Sequence, residues 1–216
     1  MEEPNFSFEK LLWRRGNKYV VGIDEVGRGA FAGPLVVGAV IFPKQIIKIN
    51  GINDSKLLKP RFREQLAREI KQKALVWDVT EVGVSVINRI GIAKATAKAM
   101  RKTIVDSARK GYPPDFVLVD YFYIPYLRGL GLKNQKPVKH GDQKSFSIAA
   151  ASILAKVHRD KIMRSLSIKY PQYCWGRNKG YGTKMHQKAI LRYGLTRFHR
   201  RQFVKTWKKK KRATEE

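Results

Sequence analysis

Cysteine and long apolar runs are nearly absent from this sequence. Its 216 residues include one cysteine, Cys174, which excludes an internal disulfide and a cysteine-rich zinc site and is compatible with a reducing cytosol. The longest uncharged stretch, residues 29–43, has 15 residues, whereas a bilayer-spanning helix needs about 20. The first residues, Met-Glu-Glu-Pro, do not have the pattern of a secretory signal. We therefore expect a cytoplasmic protein that does not enter a membrane.

Acidic residues are also scarce. There are 17 of them against 45 Lys and Arg, which gives a formal net charge of +28. Residues 109–216 carry 26 basic and 6 acidic side chains, so most of the excess lies in the second half. Such a field attracts polyanions, and nucleic acid is the commonest polyanion in a cytoplasm. The charge therefore favours a nucleic-acid-binding protein over one whose basic surface is merely solvated.

The hydrophobic pattern predicts a mixed α/β fold. The hydrophobic fraction, 43%, is high enough for one sizeable domain. Strands are predicted at residues 19–26, 35–42, 75–84 and 116–120, and helices at about 60–73, 85–109 and 145–168. The second strand is expected to be an antiparallel neighbour of the first. A loop follows the fourth strand, a helical annex begins at Pro171, and residues 208–212 are expected to form a solvated, mobile arm.

Three of the few acids lie in apolar strand segments. Asp24 and Glu25 lie inside the first predicted strand, and Asp120 ends the fourth. Neighbouring strand residues point to opposite faces, so Asp24 and Glu25 cannot share one core. A buried carboxylate is costly unless it is paired or holds a metal. The alternatives are ordinary strand-end carboxylates and a site for Mg²⁺ or Mn²⁺, which prefer oxygen ligands; the four histidines show no metal-ligand spacing.

Two glycine-rich segments and one helix face are candidates for nucleic-acid contact. Gly27-Arg28-Gly29 can bring backbone N–H groups close to a phosphate or sugar, although it can equally be a plain turn. Tyr181 lies between two glycines, where it can stack on a base or sugar or simply pack in a turn. An i, i+4, i+7 stripe on the third helix faces either solvent or phosphate, and consists of Ser152, Lys156 and Arg159.

Six collinear blocks of the sequence resemble a known family. Residues 22–29, followed by Gly33-Pro34-Leu35, are similar to the first motif of type 2 ribonucleases H, specifically bacterial ribonuclease HII. The later blocks follow in the family's order: Asn53-Asp54-Ser55-Lys56, Val119-Asp120, Gly141-Asp142 with residues 147–160, residues 171–181, and residues 199–203. Each block is weak alone, but six in order are specific and span about residues 19–203.

The resemblance implies a fold and an activity. The fold would be the ribonuclease H-like mixed sheet flanked by helices, with a C-terminal helical extension that helps to hold substrate. The activity would be hydrolysis of the RNA strand of RNA/DNA hybrids and incision 5′ of ribonucleotides embedded in duplex DNA, leaving 5′-phosphate and 3′-OH ends. Two divalent ions, Mn²⁺ or Mg²⁺, would be held by Asp24, Glu25, Asp120 and Asp142.

Substrate contacts and domain bounds are implied in the same way. Gly27-Arg28-Gly29 would read the 2′-OH through its backbone, and Tyr181 would stack on the sugar of the following deoxynucleotide. Phosphate contacts would come from Lys56, Ser152 and Lys156. The expected division is an N-terminal segment at 1–17, a catalytic domain at 18–207 whose helical part begins at about 171, and a basic tail at 208–216. We expect a monomer that binds RNA/DNA hybrid or ribonucleotide-containing duplex DNA.

One departure from the family pattern lies beside a candidate catalytic acid. The family usually has Gly-Asn after the third acid, whereas Tyr121-Phe122 follow Asp120 here. Two other functions stay open: a catalytically silent RNA-binding or ribosome-associated protein, and another ribonuclease H-like nuclease, such as a junction resolvase or a type 3 ribonuclease H. Acids that repel phosphate argue against the first, and Gly27-Arg28-Gly29 together with Tyr181 argues against the second.

Overall fold

The computed structural model describes residues 3–45, 47, 49–53, 55 and 58–213, apart from the side chain of Arg212. Lys56, one of the predicted phosphate ligands, lies outside the described residues. The strands are β1 (Val20–Val26), β2 (Leu35–Ile41), β3 (Val76–Val82), β4 (Phe116–Asp120) and β5 (Gln135–Val138). The helices are α1 (Ser7–Arg14), α2 (Pro60–Lys73), α3 (Val84–Ile90), α4 (Ile92–Arg109), α5 (Phe146–Lys169), α6 (Trp175–Asn178), α7 (Lys184–Tyr193) and α8 (Arg201–Arg212).

The chain divides into two compact units. The first, which we call the sheet unit, comprises Met1–Val26, Val36–Thr80 and Ala97–Val157. The second, the helical unit, comprises Gly27–Leu35, Glu81–Thr96 and His158–Glu216. The predicted domain bounds at 17, 171 and 207 stay a prediction. Within the residues that the structure describes, no helix is both long and apolar enough to cross a membrane.

The sheet has five strands in the order β3-β2-β1-β4-β5. β1 pairs antiparallel with β2, as predicted, and parallel with β4, which in turn pairs parallel with β5. Because β1 and β4 are central and parallel, their C-terminal ends meet at one edge of the sheet. The mixed α/β fold predicted from the sequence is confirmed.

Helix α5 packs directly on the backbone of β1 and β2. A Cβ added at Gly22 would lie 2.3 Å from the backbone carbon of Ser147, and one at Gly38 would lie 2.2 Å from the carbonyl oxygen of Ala151. Only glycine permits such an approach. The small residues of α5 provide the other side of this contact, and Ala149, Ala150 and Ala151 are fully buried. This packing fixes the first half of α5 against the central strands.

Most predicted elements lie within two residues of their observed positions, but two elements were missed. The segment predicted as one helix from 85 to 109 is two helices, α3 and α4, separated by Gly91, which has a φ of 77°. Helix α1 is short, and the sequence analysis did not predict it. The predicted loop after β4 contains β5, an edge strand in which Pro137 is paired with Val119. Proline is tolerated there because one side of an edge strand makes no ladder hydrogen bonds.

The helical unit has its own aromatic core. Tyr173 and Trp175 stack with ring centroids 5.0 Å apart, and the surrounding cluster includes Met163, Ile190 and Val204. Helix α8 continues through the terminal lysine run to Arg212. Residues 208–212 therefore continue a helix, with Lys208–Lys211 exposed as a solvated face should be, and their mobility stays a prediction.

Candidate active site

Two of the predicted catalytic acids lie on neighbouring parallel strands. The register pairs Ile23 of β1 with Val119 of β4, so Asp24 and Asp120 follow at the same level along the two strands. Asp24 is buried and Asp120 is half-buried at the end of its strand. Parallel pairing of two otherwise apolar strands, one carrying Asp24 and Glu25 and the other ending at Asp120, has thus brought the carboxylates of Asp24 and Asp120 to one edge of the sheet.

Asp142 reaches the same edge by a different route. Val138 of β5 is paired with Asp120, and the chain then turns through His140, which has a left-handed backbone with φ of 57°. A 3-10 turn, Gly141–Gln143, follows. The backbone N–H of Gly141 donates to Asp120 Oδ1 at 2.8 Å, so the turn that carries Asp142 is fixed to the carboxylate beside it. Asp142 itself is buried.

The carboxylates interact electrostatically. The pKa of Asp24 is raised well above its ordinary value, chiefly by burial, then by the negative charge of Glu25, with further contributions from Asp120 and Asp142. A hydrogen bond with Ser152 acts in the opposite direction and lowers that pKa. The other three predicted acids are therefore all close enough to Asp24 to disfavour its charged form.

This donor set fits a divalent cation. Four carboxylates supply hard oxygen atoms. A bound cation would offset the cost of burying the Asp24 carboxylate and the repulsion between it and its neighbours. Among the described residues, however, no three His, Cys, Asp or Glu side chains are already arranged as a complete metal site. The side chains that would hold the ion are therefore gathered in one place without being preset in coordinating geometry.

Ser152 belongs to this acid cluster rather than to a solvated helix face. It is buried, and its hydroxyl lies 3.0 Å from that of Ser55 in addition to its hydrogen bond with Asp24. Lys156, one turn further along α5, is half-buried, and Arg159 is fully buried. The interpretation of these three residues as the solvated face of the helix is wrong, because Ser152 lies against the acids and Arg159 lies inside the helical unit.

In the helical unit, buried arginines hold the glycine-rich segment. The guanidinium of Arg159 donates to the carbonyl oxygens of Pro34, Ala32 and Lys179, at 3.0, 3.1 and 2.9 Å. Arg200, also fully buried, donates to the carbonyl of Arg28 at 2.8 Å and through two nitrogens to that of Gly33 at 3.0 and 3.1 Å. Residues 28–34 are thus held by two guanidinium groups through their backbone carbonyls.

Gly27 shows why a side chain is excluded here. Its φ is +90°, which residues with a Cβ rarely adopt, and a Cβ would lie 2.1 Å from Arg159 Nε. A Cβ added at Gly29, in contrast, would have no other atom within 4 Å. Burial lowers the pKa of both guanidinium groups, and the positive charge of Arg159 lowers that of Arg200 further. The cost of burying two like charges is offset by five carbonyl contacts and by the donors' fixed geometry.

Tyr181 is tied to the same network. The guanidinium of Arg159 lies 5.4 Å from the centre of its ring, and its backbone N–H donates to the carbonyl of Asn178 at 3.0 Å. Its own carbonyl accepts from Nδ1 of His186 at 2.9 Å. Tyr181 is 38% exposed. Its backbone is therefore anchored, while part of its side chain stays open to solvent. The helical unit therefore brings together the predicted 27–29 segment and the predicted tyrosine.

Sequence reasoning missed Arg200 and the role of two histidines. His186 and His199 are both buried, with Nε2 atoms 3.2 Å apart, and Trp175 Nε1 donates to His186 Nε2 at 3.0 Å. Burial lowers the pKa of His186. Burial, followed by His186, lowers the pKa of His199 to about 4. No periodic pattern marks this pair in the sequence, because His186 lies on a helix and His199 on a loop.

A family model, curated relatives and solved structures all match this chain to the same family of proteins. The family model described as Ribonuclease HII matches residues 21–207. The Ribonuclease HII of Caldanaerobacter subterraneus subsp. tengcongensis is 46% identical over 204 residues, which cover 94% of this chain and 81% of that protein. The Ribonuclease HII of Caldicellulosiruptor saccharolyticus is 42% identical over 205 residues, covering 95% and 96%. The solved PCNA:RNase HII complex from Archaeoglobus fulgidus matches with a TM-score of 0.69 and 25% identity, covering 84% of this chain and 93% of that chain.

The fold and the acid cluster define a nuclease of the ribonuclease H-like class, with a mixed sheet and carboxylates at the ends of its central strands. The comparisons narrow the class further. The chain belongs to the ribonuclease HII family. It is therefore a hydrolase, an endoribonuclease that acts on RNA/DNA hybrids, and the assignment made from six sequence blocks is confirmed.

Proposed function

We propose that this endoribonuclease cleaves the RNA strand of hybrids and also incises 5′ of single ribonucleotides embedded in duplex DNA, leaving 5′-phosphate and 3′-OH ends. The observation that carries the proposal is the placement of Asp24 beside Glu25, Asp120 and Asp142 at the ends of paired strands; burial, followed by these neighbouring charges, raises the pKa of Asp24. A protein that only bound nucleic acid would gain nothing from acids that repel phosphate. The net charge of +28 supplies the attraction that these acids oppose.

Asp24, Glu25, Asp120 and Asp142 would hold two divalent ions, Mg²⁺ or Mn²⁺. Such ions, when bound, supply an activated water and relieve charge at the leaving 3′ oxygen. Ser152 orients Asp24 through its hydrogen bond, and the Gly141 N–H orients Asp120. No side-chain nucleophile is needed, in agreement with the absence of a Cys–His pair from the acid cluster.

Selection of the ribonucleotide would depend on the helical unit. The backbone of Gly27-Arg28-Gly29 would contact the 2′-OH, because Arg200 holds the carbonyl of Arg28 and Arg159 holds those of Ala32 and Pro34 a few residues further on. Tyr181 would stack on the next deoxyribose with its exposed face. Lys156 and Lys56 would contact phosphate; Ser152 was predicted to do so too, but its hydroxyl is directed to Asp24 and Ser55. The protein would act as a monomer in the cytoplasm.

The test is a cleavage assay on duplex DNA that contains one ribonucleotide, with the products mapped at nucleotide resolution. We expect incision on the 5′ side of the ribonucleotide in Mg²⁺ or Mn²⁺ and none after chelation. The matched controls are a duplex made only of DNA and a hybrid of one RNA strand with one DNA strand. Cleavage of the hybrid without incision at the single ribonucleotide would overturn the junction specificity while leaving the hybrid activity intact.

A further inference from the structure

An exposed tyrosine cluster follows the catalytic strand β4. Tyr121, Tyr123 and Tyr126 lie within six residues after Asp120 and are 68%, 50% and 93% exposed. Large aromatic side chains are seldom left so open, because their burial is a main source of stability. The first member of the cluster, Tyr121, lies where the family usually has glycine, so the family pattern does not require this aromatic side chain.

The backbone beneath these side chains is firmly held. Ile124, between the tyrosines, is fully buried. Its N–H donates to the side-chain oxygen of Gln135 at 2.9 Å, and its carbonyl accepts from the side-chain nitrogen of Gln135 at 3.2 Å. Arg101 donates to the carbonyl of Pro125 at 2.7 Å. The tyrosines are therefore presented from an anchored turn, which lowers the entropy lost when a ligand orders them.

Two of the three tyrosines have an unfavourable backbone conformation. The φ of Tyr121 is 70° and that of Tyr126 is 54°, in the left-handed region that favours glycine and is disfavoured for bulky residues. A glycine at position 121 would adopt this conformation without strain. Strain that is maintained by surrounding contacts is characteristic of functional positions, and both of these strained residues have exposed side chains.

The charge around the cluster selects the kind of ligand. Between the flanking candidate catalytic acids, Asp120 and Asp142, the chain contains no further acid and four basic residues, which are Arg128, Lys133, Lys136 and Lys139. The N–H of Tyr121 donates to the carbonyl of Val138, which places the exposed Lys139 at the next position along the chain from that contact. Exposed aromatic rings combined with lysine are typical of surfaces that bind single-stranded nucleic acid, where stacking on bases and attraction to the backbone act together.

We propose that Tyr121, Tyr123 and Tyr126 bind an unpaired nucleic-acid strand that leaves the hybrid on the β5 side of the carboxylates. This proposal rests on the proposed function, because it assigns a partner to the edge of the same site. An unpaired strand is the ligand because its bases offer free faces, whereas bases inside a duplex are already stacked on one another. The protein would then bind hybrids with a single-stranded overhang more tightly than blunt hybrids.

The test compares binding of fluorescent hybrids with a 5′ overhang, a 3′ overhang or blunt ends, by anisotropy in the presence of a chelator so that no cleavage occurs. The wild-type protein should favour one of the overhangs. The double variant Tyr123→Ser/Tyr126→Ser should bind that overhang about 5–10-fold more weakly, at the lower end of measured stacking effects. Its affinity for blunt hybrid should be unchanged. Tyr121 is left intact because substitution there would also alter a strained backbone.

Two controls separate stacking from other roles. Tyr123→Phe/Tyr126→Phe keeps the rings and should retain the overhang preference, whereas loss of preference in this variant would overturn stacking. Leu132→Ala removes another exposed apolar side chain from the following turn and should change nothing. The proposal fails if the wild-type protein binds all three hybrids equally, or if the serine variant weakens all three equally. Because cleavage is not measured, a failure of the catalytic proposal would be seen separately.

Discussion

The two units of this protein bury charge of opposite sign, and they deal with it differently. The sheet unit gathers carboxylates around Asp24, whose pKa is raised first by burial and then by the negative charge of its neighbours. The helical unit buries Arg159 and Arg200, and directs their N–H groups to backbone carbonyls. Asp24 keeps its raised pKa although Ser152 forms a hydrogen bond with it, whereas the two arginines direct their N–H groups to backbone carbonyls. The comparison teaches that like charges crowd together in the first cluster, whereas the second holds a backbone segment in place.

The largest effect is expected from neutralising an acid. Asp24→Asn should lower the cleavage rate by about 10²–10³-fold, because metal-ion stabilisation contributes several kcal/mol to such reactions. Hybrid binding in chelator should survive or tighten, since a charge that repels phosphate is removed. Steady-state cleavage and anisotropy on the same preparation test both points. Parallel loss of cleavage and binding, with the fold intact, would contradict the role of Asp24.

The same variant sharpens the comparison through stability. Without metal at neutral pH, Asp24→Asn should raise the free energy of unfolding, because a carboxylate whose pKa is raised by burial is destabilised when ionised. For the cleavage prediction of the preceding paragraph, Asp120→Asn provides a second test in the same acid cluster. Urea unfolding in chelator measures the change, and a clear loss of stability would show that Asp24 is paired structurally.

Replacing a buried arginine should change the free energy of unfolding in the opposite direction, which means that it should lower it. Arg200→Ala should lower the free energy of unfolding by about 3 kcal/mol or more, because the carbonyls of Arg28 and Gly33 lose their buried donors. The neighbouring Arg201 is exposed, so Arg201→Ala should stay within about 0.5 kcal/mol of wild type. Equal effects of the two substitutions in urea unfolding would show that Arg200 does not hold the segment.

A smaller and more selective effect is expected at Tyr181. Tyr181→Ala should reduce cleavage at a single embedded ribonucleotide by about 5–150-fold, the range that corresponds to one stacking contact. Cleavage of a long hybrid should fall less, because many registers are available there. The ratio of the two rates is the measurement. Equal losses on both substrates would make Tyr181 a structural residue.

The mildest effect should be an acid sensitivity of the helical unit. His199 has a folded-state pKa of about 4, below the ordinary value of about 6.5. The unfolded chain therefore binds more protons between these values, and stability present above about pH 6.5 should be lost as the pH falls toward 4. His199→Gln should flatten the unfolding free energy against pH across this window. An unchanged slope would show that His199 does not titrate on unfolding; His186, whose pKa is also lowered, leaves a residual slope.

Much of the fold and the site could be predicted because the signals are local. Acids in otherwise apolar strands, as at Asp24, Glu25 and Asp120, stand out in any sequence, and β-branched runs mark the strands that carry them. Helix α5 was recognised by its length and periodicity, and lies within one residue of its predicted start at 145. Strand β5 was missed because its four residues, Gln-Lys-Pro-Val, have neither alternation nor strong strand propensity, and only pairing with β4 makes them a strand.

The sequence by itself determined the class of this protein: its charge, its strands ending in acids and its six ordered motifs are all properties of residue type and spacing. Only the tertiary structure decided which polar residues of α5 face solvent and which face a site. On a helical wheel, Ser152 and Arg159 belong to the same polar stripe, so the sequence does not distinguish the two cases. It also decided that Arg200 supports residues 28–33 from more than 160 positions away in the chain, as its contact with Arg28 at a separation of 172 shows. Such contacts depend on how elements pack after they form, and local residue patterns contain no information about a backbone carbonyl so distant in sequence.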